Sequence, residues 1–153
     1  MKHRMTPTSL VIVFVGLLAL GIMPELQAGE DQGCSNASLR GSYGFTGAGT
    51  ILGVGAVASV GSFTSDGRGN LAGTDTISFN GAIVRESFTS TYTVNADCTG
   101  SSTALVQGPV PRTVHVDFII VDHGNEVFNV LTDPGNVVTF VSKKIFPGRG
   151  KQD

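Results

Sequence analysis

The dipeptide Asn80-Gly81 lies between two runs that alternate apolar and polar residues, "LAGTDTISF" before it and "AIVRESFTSTYTV" after it. A two-residue hairpin turn needs both central residues at positive φ, which asparagine and glycine tolerate best, so this stretch predicts a β-hairpin of fixed register. Phe79 then faces Ala82, Ile77 faces Val84, Asp75 faces Glu86 and Gly73 faces Phe88. Tyr92 and Val94 continue that apolar face, while Thr76 and Arg85 pair on the polar one. Asp75 and Glu86 are therefore two acids opposed across an otherwise apolar surface.

Directly opposed unit charges about 5.5 Å apart repel by roughly 3 kcal/mol at an effective dielectric near 20. Three arrangements relieve this: one carboxyl keeps its proton, a cation bridges the pair, or Glu86 reaches out of the barrel mouth into water. On the repulsion argument, Glu86→Gln leaves the fold unchanged or more stable near neutral pH. Two coupled carboxyls lining a cavity suit a general acid and base, which makes Asp75 and Glu86 the candidate catalytic residues. The plain structural alternative is a wet barrel end, or a bulge that separates them.

The rest of the chain repeats this style. Beyond residue 28 no stretch has helical periodicity; short runs rich in Val, Ile, Thr, Phe and Tyr alternate with "SDGRGN", "NADCTG", "GPVPR", "DHGN" and "DPGN". Strands are expected over Gly41–Gly49, Gly53–Thr64, Leu71–Phe79, Ala82–Val94, Ser102–Gln107, Thr113–Val121, Glu126–Thr132 and Val137–Ser142. The fold class is all-β, a single antiparallel up-and-down β-barrel of about eight strands, since closure removes exposed edges; a β-sandwich is the alternative. A loop over Asp66–Asn70 puts Phe63 opposite Gly73 and Gly61 opposite Asp75, so both hairpins agree on the inward face. Inward aromatics Tyr43, Phe45, Phe63, Phe79, Phe88 and Tyr92 are the candidate ligand-binding residues. The glycines of "GSYGFTGAGTILGVGAVASVG" fit tight barrel curvature.

The N-terminus reads as an export signal. "MKHRMTPTS" carries Lys2 and Arg4 and leads into the uncharged apolar run Leu10–Met23, which falls short of the about 20 residues that span a bilayer. Residues 1–28 are assigned as a signal peptide that adopts a helix, with cleavage after Ala28; 29–40 as an N-terminal segment, 41–146 as the barrel and 147–153 as a disordered tail. A net charge of −2 favours neither nucleic acid nor an anionic membrane as partner. The only cysteines, Cys34 and Cys98, follow the signal, so export makes a disulfide the default, with two buried thiols as the alternative. The destination is outside the cytoplasm, periplasmic or extracellular, and the sequence specifies no oligomeric state.

Three segments, "CSNASLRGSYGF", "GSFTSDGRGNLAGTDT" and "TYTVNADCTGS", resemble small exported bacterial proteins that share a Gly-Ser-Tyr strand and a Tyr-Thr-Val-Asn-x-Asp-Cys-Thr-Gly segment. The resemblance covers nearly all of the chain after the signal. It implies a lipocalin-like barrel of the kind seen in allene oxide cyclases and a Cys34–Cys98 bridge tying down residues 29–40. It brings no catalytic residue with it.

Other motifs carry little. "SDGRGN" lacks the ligand spacing of a calcium loop, having Arg68 and Leu71 where a ligand and a glycine belong, and reads as a hairpin turn. "GAGTILG" and "GRGNLAG" open no helix, so they offer no dinucleotide cradle. His115, Asp117, Asp122 and His123 have no diagnostic metal spacing and read as surface and turn residues. No metal and no cofactor are expected. Three functions fit: a barrel that binds a small, largely apolar molecule, a cofactor-independent cyclase or isomerase using the carboxylate pair, and a structural or surface-interaction protein with a filled barrel.

Overall fold

The computed structural model describes residues 33–146. The expected signal peptide, the first residues of the 29–40 segment and the expected 147–153 tail lie outside the described residues. Eight antiparallel strands form a closed up-and-down barrel: β1 (Gly41–Ile51), β2 (Gly55–Ser65), β3 (Asn70–Phe79), β4 (Ala82–Val94), β5 (Thr99–Gln107), β6 (Arg112–Val121), β7 (Glu126–Leu131) and β8 (Asn136–Lys144). β1 pairs with β8, from Tyr43 opposite Lys144 to Ile51 opposite Asn136, which settles barrel against sandwich.

Asn80 and Gly81 take φ of 47° and 95°, and the register they impose places Asp75 opposite Glu86 and Gly73 opposite Phe88. The Asp66 loop likewise sets Gly61 opposite Asp75. Asp66 makes that loop itself: its carboxylate accepts from the backbone N–H of Arg68 at 2.7 Å and of Asn70 at 3.0 Å, and from Asn70 Nδ2 at 2.9 Å. These bonds hold its pKa down at about 2. Strand glycines serve a purpose more specific than curvature. An added Cβ at Gly73 would lie 2.6 Å from Phe88 Cζ and one at Gly61 2.5 Å from Phe45 Cζ, so these glycines hold the floor space on which the rings lie.

Every strand except β4 begins or ends a few residues from its expected boundary, and two of these starts have a clear local cause or consequence. β5 begins at Thr99 because "NADC" closes a tight turn, in which Asp97 accepts from the Thr99 N–H and hydroxyl at 3.0 and 2.6 Å and Cys98 takes φ of 70°. β6 begins at Arg112, one residue earlier than expected, with Arg112 opposite Val106. That one residue matters for the site.

The two ends of the barrel are unlike. At the end that carries turns 66–69, 95–98 and 122–125, a 3₁₀ turn, Asn36–Leu39, folds across the opening. Leu39 inserts among Tyr43, Tyr92, Phe118, Ile120 and Val127, and burying such a side chain contributes about 2 kcal/mol. The Tyr43 hydroxyl donates to the Gly124 carbonyl at 2.7 Å. Tyr92 donates to the Asn36 carbonyl at 3.0 Å and so accepts from Ser65 at 2.7 Å. Cys34 and Cys98 form a disulfide that ties this plug to the β4–β5 turn. The opposite end, with turns 52–54, 80–81, 108–111 and 132–135, is the mouth, where Leu52 and Val110 are exposed.

Candidate functional site

Inside the barrel lies a cavity of about 580 Å³, within the range of small-molecule sites. Its wall is mainly apolar, including Phe45, Phe63, Val84, Phe88, Val106 and Val116, and it reaches the mouth at Val54, Pro109 and Val110. Asp75, Glu86 and Arg112 line the same cavity.

Strand pairing explains how three charged groups meet there. Phe45, Gly61, Asp75 and Glu86 form one inward row across β1–β4. Beyond Gln107 the row runs off the end of β5 onto Gly108, whose missing side chain leaves room for Glu86: an added Cβ would lie 2.9 Å from Glu86 Cγ. Arg112, at the start of the next strand, reaches across this gap. Its Nη1 and Nη2 donate to Glu86 Oε1 and Oε2, both at 2.7 Å, a bidentate pair in which the Glu86 side chain is 2 % exposed and Arg112 32 %. Nη1 also donates to the Val110 carbonyl at 3.3 Å, and the guanidinium lies 5.5 Å from the Phe79 ring centre.

Asp75 is the unmatched member. Its Oδ1 is buried and receives no hydrogen bond from any group among the described residues. Burial first, then the Glu86 charge, push its pKa up to about 6, against a smaller pull from Arg112. Of the three ways to relieve the carboxylate pair, the structure supports one, Asp75 holding its proton more tightly; Arg112 does not bridge the acids but pairs with Glu86 alone. Glu86 turns into the lumen, not out of the mouth.

The sign of the pH effect follows. An acid whose folded-state pKa is raised favours the fold while protonated in both states, and that contribution is lost as pH rises from about 4 through about 6. Glu86 and Arg112 are the charged groups beside it. Asp75→Asn is expected to exceed the wild type in stability at pH 8 by about 1–2 kcal/mol, after discounting for solvent screening, and to match it near pH 4. Denaturant unfolding at both pH values checks this; an offset equal at both would refute it.

Of the aromatics expected at the ligand site, Phe45, Phe63, Phe79 and Phe88 line the cavity, with Phe45 in edge contact with Phe88 at 6.1 Å and Phe140 at 6.0 Å. Tyr43 and Tyr92 face inward but belong to the plugged end, Tyr43 stacked on Phe63 at 5.0 Å. Burial and the neighbouring Tyr92 push the Tyr43 pKa up to about 12. His115 pairs with Asp133 at 2.7 Å near the mouth, while His123 lies in the β6–β7 turn at the other end, so the four-residue His/Asp set does not assemble. Among the described residues no group of three or more His, Cys, Asp or Glu is placed to hold a metal ion. Arg112 was hidden from sequence reading inside "GPVPR", although its parity with Val114, Val116 and Phe118 already sets it on the inward face.

Fold and site together define a closed β-barrel with an apolar internal cavity and three charged groups on one wall. No family model, no curated protein and no solved structure matches the chain. Among the described residues no helix is long and apolar enough to cross a membrane.

Proposed function

We propose that this is an exported, lipocalin-like barrel that binds a small, largely apolar molecule in its lumen. The observation that carries the reading is the apolar cavity of about 580 Å³, closed at one end by the Asn36–Leu39 plug and reached from the mouth at the other. A barrel packed solid by its aromatics would have no such volume. The disulfide agrees with an oxidising destination, as does the export signal read from the sequence. Affinity would come from burying the ligand, with the carboxylate and guanidinium groups fixing its orientation.

A second reading, a cofactor-independent cyclase or isomerase, draws on Asp75: a carboxyl titrating at about 6 beside an apolar cavity is placed to exchange a proton near neutrality. Both readings need the lumen to admit a molecule. Prodan, a neutral naphthalene fluorophore, is expected to bind one per chain with a blue-shifted emission, and Ala104→Trp, which fills the cavity from β5, is expected to abolish the signal. Absence of saturable binding to the wild-type protein would refute both.

A further inference from the structure

We infer that the lumen selects an apolar amine, whose ammonium group is received by Asp75 while its hydrocarbon body lies among Phe45, Phe79 and Phe88. The inference rests on the ligand-binding reading and adds the chemical class. Its basis is the difference between two neighbouring carboxylates. Glu86 is satisfied on both oxygens by Arg112. Asp75 lines the same cavity and keeps a buried acceptor with no donor among the described residues. A buried acceptor left without a donor is unfavourable, so a ligand that brings one gains more than the burial of its apolar surface.

Charge narrows the donor. With Asp75 ionised, Asp75, Glu86 and Arg112 sum to one negative charge in a mainly apolar space, and Asp133, paired with His115 near the mouth, is a third acid on the same lining. Among the described residues Arg112 is the only Lys or Arg lining the cavity, and its charge is already paired with Glu86 through both Nη atoms, one of which also donates to the Val110 carbonyl. An apolar carboxylate would therefore find no free cation and would meet an uncompensated negative charge. An alcohol would satisfy the Asp75 oxygen and leave the charge. An ammonium does both, through a charge-assisted hydrogen bond, and the surrounding ring faces tolerate a cation.

The test is displacement of prodan from the full oxidised protein at about pH 8, where Asp75 is ionised and an alkylamine is protonated. Dodecylamine, 1-dodecanol and dodecanoate share one chain and differ only in the head. The amine is expected to displace prodan at a concentration about tenfold below the alcohol, with dodecanoate weakest. In Asp75→Asn, with each head group's displacement referred to that variant's own prodan affinity, the preference for the amine over the alcohol is expected to vanish. Dodecanoate competing as well as the amine, or an amine preference that survives Asp75→Asn, overturns the inference. Prodan binding without any amine preference overturns it too and leaves the ligand-binding reading standing; failure of prodan to bind the wild-type protein removes that reading itself. Should Asp75→Asn misfold, the ranking of the three heads on the wild-type protein decides alone.

Discussion

Replacing Cys34 and Cys98 together by serine is expected to lower the unfolding free energy by about 4 kcal/mol, read as a fall in the denaturant midpoint with the slope adjusted for the looser unfolded chain. The bridge spans 64 residues of sequence, and closing a loop of that length removes much of the unfolded chain's freedom. In the folded state the same bond anchors the plug. Cys34 also donates its N–H to the Ala96 carbonyl at 3.0 Å, and the Cys98 carbonyl accepts from Ile120 at 2.9 Å, so the residues lie in place without the bond. The double variant should therefore keep the barrel and lose stability. A loss below about 1 kcal/mol would show that the unfolded chain is already constrained.

Arg112→Met is the second large effect. It leaves Glu86, 2 % exposed, as a carboxylate without its guanidinium and beside Asp75. Breaking one side of a buried pair generally removes 3–5 kcal/mol, and the partial exposure of Arg112 places the expectation near the bottom, about 3 kcal/mol at neutral pH. Glu86→Gln, which bare repulsion between Asp75 and Glu86 expects to be harmless, is now expected to destabilise, since the amide no longer neutralises Arg112. Glu86→Leu combined with Arg112→Met should lie closer to the wild type than either single change, and the double-mutant cycle over these unfolding free energies measures the coupling. Additivity would mean the bidentate pair contributes nothing.

The opposition of Asp75 and Glu86 was legible because two residues, Asn80 and Gly81, fix a turn, and strand parity propagates from it without further information. Parity says which face a residue takes and nothing about its depth along the barrel. That is why Tyr43 and Tyr92, inward like Phe45 and Phe88, end at the plugged end with their hydroxyls bonded to Gly124, Asn36 and Ser65. Depth depends on the stagger between strands, which is a property of closure. Arg112 was lost for a local reason: Pro109 and Pro111 on either side of Val110 mark a turn, and the strand begins directly after it. The cavity was not legible at all, since its volume is what remains after every inward side chain has been placed.

The seam between β1 and β8 joins residues near opposite ends of the described chain, Tyr43 with Lys144. No part of the lumen wall is complete until that seam closes. Such distant pairing is slow to form, and before it forms β1 and β8 are both open edges able to pair with another chain. The internal cavity is therefore enclosed only when all eight pairings, this one included, are made. A ligand that fills it stabilises only the closed form, so it should slow unfolding without hastening the search that precedes closure.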